Sequence, residues 1–76
     1  MIRIKTKQDV ELRKGFLAGL DLSETNLKGI DLSGEDLTGV NFAYADLREA
    51  NLRDTNLTNA DLFMAEIDGT NLDGAL

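Results

Sequence analysis

The chain has 76 residues, no Cys and no His, 14 acidic against 8 basic side chains, and a net charge of −6. Without Cys there is neither a disulfide framework nor a thiolate metal site, and without His the commonest general base and metal ligand are missing, so most familiar catalytic constellations are excluded. The length allows one small domain whose conventional globular core would be marginal.

The N-terminus, MIRIKTKQDVE, alternates charge with single apolar residues, and the longest uncharged apolar stretch, Phe16 to Leu20, is too short for a signal peptide or a membrane span. A cytoplasmic protein without membrane association is expected. Thr6 followed by Asp9 has the form of a capping box, and Val10, Leu12, Phe16 and Leu17 mix helical spacings before Gly19, which predicts a short helix over residues 7–17. Leu12 and Leu17 also fit the five-residue register of the chain beyond them, but that register turns Phe16 outward beside Leu17. The segment 1–19 is therefore read as an N-terminal cap with a short helix and Phe16 as its buried anchor.

From residue 20 to the end, apolar residues recur at every fifth position: Leu22, Leu27, Leu32, Leu37, Phe42, Leu47, Leu52, Leu57, Leu62, Ile67 and Leu72. Neither the 3.6-residue period of a helix nor the two-residue period of a strand produces this spacing, and leucines five apart cannot form one helical stripe. Each of these centres is preceded by Asp, Asn or, once, Glu66. The residue two before each centre is mostly small or apolar, and Gly29, Gly34, Gly39, Gly69 and Gly74 fall two after, where a corner with positive φ suits glycine. Neither the longer LxxLxL unit of leucine-rich repeats nor the GGxGxDx unit of calcium-binding β-rolls is present.

With these eleven units in view, residues 20–76 resemble the pentapeptide-repeat family, whose motif is A(D/N)LXX. The resemblance implies an all-β fold, a right-handed quadrilateral β-helix in which each pentad makes one side of a square and four make a coil. In such a side the centre and the residue two before it face inward and the Asp or Asn between them faces out. The outward column is then expected to satisfy backbone groups rather than to catalyse. No enzymatic activity and no cofactor are expected.

Charge is uneven: residues 1–19 carry a surplus of three positive charges, and residues 20–76 carry three basic against twelve acidic side chains. An acidic body argues against direct nucleic-acid binding, which needs Lys and Arg at phosphates. Gyrase-protecting members of the family resemble DNA in shape and charge, so an acidic DNA mimic acting on a DNA-binding protein such as gyrase is the alternative function. The leading expectation is a structural or protein-interaction module, since fewer than three coils, roughly 13 Å of stack, imitate only a few base pairs.

Four further expectations attach to particular residues. Glu35 occupies an inward position, where it should bond backbone or a cap residue such as Arg13 or Lys14, and its replacement by Ala should be neutral or stabilising. Stacked carboxylates such as Asp46 and Glu66 are the sole suggestion of a metal site, without the ligand spacing that would support one. Folding the sequence at twenty residues places Tyr44, Phe63 and Met64 together on one outer face, a candidate surface for a protein partner. At the C-terminal end, Leu57, Leu62, Ile67, Leu72 and Leu76 would be left uncovered unless further coils follow or a second copy meets them end to end, and a homodimer is expected there.

Overall fold

The computed structural model describes residues 6–76, so the first five residues of the expected N-terminal segment lie outside it. The five-residue register builds the fold as expected. Leu22, Leu27, Leu32, Leu37, Phe42, Leu47 and Leu52 are all buried in one apolar column, joined between centres by Ile30, Val40, Ala45 and Ala50. Parallel bridges join residues twenty apart, Asp21 to Asn41 to Asp61 on one side and Asn26 to Asp46 to Glu66 on the next. Four pentads thus complete a coil, and each side of the square is a strand of minimal length.

Backbone groups explain why five residues suffice for a side and its corner. The amide of Leu22 donates to the Asn41 carbonyl of the next coil at 2.8 Å, and the amide of Asn41 donates back to Leu20 at 3.0 Å. At the corners from Leu27 onward the carbonyl of the centre accepts from the amide three residues on, as Leu27 does from Ile30 at 3.0 Å and Leu37 from Val40 at 3.1 Å. The second corner residue is left-handed, the geometry of a type II turn, and the expected corner glycines sit there with φ between 70° and 75°.

The Asp/Asn column has an equally local cause. Its Oδ1 accepts the amide two residues on: Asp31 from Ser33 at 3.0 Å, Asn51 from Arg53 at 3.0 Å, Asn71 from Asp73 at 2.9 Å. These are Asx turns, which fix the approach to each corner and need a side chain of this length. Glu66, one methylene longer, turns instead to Arg48. Inward threonines obey the same economy, Thr55 Oγ1 donating to the Leu52 carbonyl at 2.9 Å and Thr70 Oγ1 to that of Leu47 at 2.6 Å.

The N-terminal segment requires two corrections. Its helix, α1, spans Lys7–Glu11 and not 7–17. The capping box is present, with the Asp9 amide donating to Thr6 Oγ1 at 3.1 Å and the Thr6 amide to Asp9 Oδ2 at 3.2 Å, and Val10 is the residue that α1 contributes to the core. Leu12 closes the helix as its C-cap, and Gly15 at φ 90° takes the chain out of helical geometry. Phe16 is not a buried anchor: it is 86% exposed, whereas Leu17 is 1% exposed and acts as a further centre. Gly19 donates to Thr38 of the next coil at 2.8 Å, and Leu20 to Leu17 at 3.1 Å, so the repeat is entered one unit before Leu22. Adjacent residues of an extended side face opposite ways, and the corner at Gly19 selects Leu17 as the inward one.

Glu35 bonds backbone, as expected, but the bond changes its predicted energetics. Its Oε1 accepts the amide of Gly15 at 2.7 Å, tying the N-terminal segment to the second coil. Replacement by Ala should therefore cost stability, contrary to the expectation from sequence.

Candidate interaction face

The side with centres Leu22, Phe42 and Leu62 carries the outer residues grouped from sequence. Phe42 fills the interior, while Tyr44, Phe63 and Met64 are 56%, 61% and 65% exposed. The Tyr44 and Phe63 rings meet edge to face, with centroids 5.7 Å apart and planes at 82°, a geometry that places the positive edge of one ring on the negative face of the other. Backbone geometry holds them there: Tyr44 donates to the Phe63 carbonyl at 2.9 Å, and the Phe63 amide is fixed by Asp61 Oδ1 at 2.9 Å. Tyr44 and Met64 stand at corners with φ of 62° and 57°, as does Glu24 in the same column at 58°.

The adjacent side is occupied by an ion cluster. Arg48 places Nη2 2.7 Å from Asp46 Oδ2 and Nε 2.9 Å from Asp46 Oδ1, and Nε also lies 3.3 Å from Glu66 Oε2. The Asp46 and Glu66 stack suspected as a metal pair thus holds a guanidinium. Hydrogen bonds from the Arg48 side chain, then from its backbone amide, draw the Asp46 carboxyl down to about 2. Asp31 and Asp36 are lowered too, the first chiefly by the Ser33 amide and the second by the Thr38 hydroxyl. Among the described residues no group of three or more acidic side chains is arranged to hold a metal ion.

A cleft of about 600 Å³ lies where α1 meets this adjacent side, lined by Thr6, Lys7, Asn26, Lys28, Gly29 and Glu49. Sequence reasoning missed it, because Lys7 and Lys28 come together only once α1 is laid on the coil. At the C-terminal end, Leu62, Ile67, Leu72 and Leu76 are exposed and Leu57 is half-buried, while the corresponding residues of earlier coils are covered. No helix among the described residues is long and apolar enough to cross a membrane.

The family model described as pentapeptide repeats (8 copies) matches the chain twice, over residues 16–54 and 36–74. The chain belongs to the pentapeptide-repeat family. Its coil is accordingly the right-handed quadrilateral β-helix of that family, whose members are generally non-enzymatic structural and interaction modules. The crystal structure of the pentapeptide-repeat protein Rfr23 from the cyanobacterium Cyanothece 51142 superposes with a TM-score of 0.76 at 33% identity, covering 79% of this chain and 42% of that one. This pentapeptide-repeat chain therefore spans less than half the length of Rfr23. No curated protein matches it significantly.

Proposed function

We propose that this pentapeptide-repeat chain is a non-enzymatic protein-interaction module whose contact surface is the Tyr44, Phe63 and Met64 face. The observation that carries the reading is the exposed edge-to-face pair Tyr44–Phe63 extended by Met64. Aromatics and methionine are favoured at interface centres, and nothing in the coil needs these side chains outside. Capture of partners from the source cell by the wild-type chain, compared with a Tyr44→Asn, Phe63→Ser, Met64→Asn variant, tests it. Asn tolerates the left-handed corners, so circular dichroism should be unchanged while the captured partner is lost. Retention of every partner by the triple variant sinks the reading.

Leu62, Ile67, Leu72 and Leu76 need cover, which further coils would supply if they follow and which, if none follow, we propose comes from a homodimer in which two final coils meet end to end about a two-fold axis. Such a contact makes the thermal midpoint rise with protein concentration, and Leu72→Asp should give a less stable monomer by analytical ultracentrifugation. The DNA-mimic alternative has support in the acidic charge but little in height, because a three-coil stack is only roughly 14 Å tall. Inhibition of gyrase supercoiling at low protein concentration would reverse that ordering.

A further inference from the structure

The side that carries Tyr44, Phe63 and Met64 has a charge pattern of its own. Its three pentads, 20–24, 40–44 and 60–64, hold Asp21, Glu24 and Asp61 and no Lys or Arg, the largest acidic surplus of the four sides from residue 20 onward. Its neighbour carries Arg48, which binds Asp46 and Glu66 of that side. Asp61 gives one carboxylate oxygen to the Phe63 amide, which fixes the acid beside the ring.

The backbone singles out the same side. Left-handed corners fall in four columns, and three of them hold two glycines each: Gly19 and Gly39 with Asn59, Gly29 and Gly69 with Glu49, Gly34 and Gly74 with Asp54. The fourth column is Glu24, Tyr44 and Met64, with no glycine or Asn among the described residues. Side chains that L-residues carry only under strain are thus retained where they form the surface patch, and strain of this kind concentrates at functional sites.

From these observations, and resting on the interaction reading above, we infer that the occupant of this face is a cationic amphipathic helix of another protein. Its apolar residues lie against Tyr44, Phe63 and Met64, and its arginines reach Glu24 and Asp61. The 5.7 Å between the two ring centroids matches the spacing of neighbouring residues on one face of a helix. A guanidinium that stacks on an exposed ring can donate to an adjacent carboxylate at the same time. A second copy of this chain fits less well, since it brings the same carboxylates to the contact and like charges would oppose.

Fluorescence anisotropy with a labelled amphipathic peptide of about four helical turns, leucines on one face and arginines flanking them, tests the inference. Its controls are a scrambled isomer and a version with Glu in place of Arg. The arginine peptide should bind at least about tenfold tighter than either control, and the Tyr44→Asn, Phe63→Ser, Met64→Asn variant should lose at least that factor. Glu24→Gln with Asp61→Asn should weaken binding about tenfold, whereas Asp31→Asn with Asp73→Asn, an equal charge change on another side, should weaken it less than about threefold. Equal effects of the two charge changes, or equal binding of the scrambled peptide, would reduce the attraction to general acidity and overturn the inference. Absence of peptide binding while the triple variant still loses its captured partner overturns the cationic helix and leaves the interaction reading standing. Self-association of the wild-type chain through this face, abolished by the triple variant and with no peptide bound, overturns it in favour of a second copy.

Discussion

Exchanging residues between two corners should move stability in opposite directions. Gly34 has φ of 72°, and a Cβ built on it meets nothing within 4 Å, so Gly34→Ala adds backbone strain without a clash. Left-handed geometry costs an L-residue about 1–2 kcal/mol, and loss of glycine's freedom in the unfolded chain returns about 0.4–1 kcal/mol. The expected net loss is about 1 kcal/mol. Met64→Gly runs the balance in reverse at φ 57°, removing a side chain that is 65% exposed and therefore contributes little packing. Its expected gain is about 0.5–1 kcal/mol. At about 4–8 °C per kcal/mol for a domain of this size, the first variant should melt several degrees lower and the second several degrees higher, by calorimetry at matched protein concentration. A fall in melting temperature for Met64→Gly would refute the reasoning, because it would mean that the methionine side chain stabilises the coil more than its corner strains it.

Phe42→Ala should cost about 3–5 kcal/mol, a large part of the roughly 4–11 kcal/mol available to a chain of this length, and a urea titration should show a midpoint lowered by about a quarter or more. Glu35→Ala should cost about 1 kcal/mol by removing the acceptor for the Gly15 amide, while Glu35→Gln keeps it; equal melts for all three proteins would mean that the bond does not hold the N-terminal segment. Acid stability should depend on Asp46. Its folded pKa of about 2 lies below the unfolded value near 3.8, so its contribution is complete above about pH 4 and is lost as pH falls towards 2. Thermal melts of Asp46→Asn across that window should show a shallower decline than the wild type, and parallel curves would count against the Arg48 bond as the cause.

The coil could be read from sequence because its determinants are local and recur in every pentad. An inward leucine, an Asp or Asn able to reach the amide two residues on, and a glycine where the turn needs positive φ each act within five residues. The grouping of Tyr44, Phe63 and Met64 followed from the same register by simple stacking. In the N-terminal segment two local codes overlap. Thr6 and Asp9 do start a helix, but Leu17-Ala18-Gly19 repeats the corner chemistry of Leu27-Lys28-Gly29, and that corner buries Leu17 and leaves the aromatic Phe16 outside. Strained corners at Glu24, Tyr44, Glu49 and Met64 were not legible, because no local preference places these residues at positive φ. Amide bonds to the next coil hold the first three there, Glu24 to Ala43, Tyr44 to Phe63 and Glu49 to Asp68, each at 2.9 Å.

A square coil with identical sides separates the interior from the exterior in an unusual way. Removing one whole pentad, residues 50–54 for instance, would leave every inward position filled by another inward residue, yet everything beyond the deletion would turn by a quarter rotation relative to what precedes it. With partners twenty apart, Phe63 would then lie over Thr38 and Met64 over Gly39, while Tyr44 would face Gly69. The core would be nearly indifferent to the change and the aromatic face would be dismantled. In this architecture the surface can be redialled in ninety-degree steps, so the outer pattern of the chain is free to drift on a scaffold that barely registers the difference.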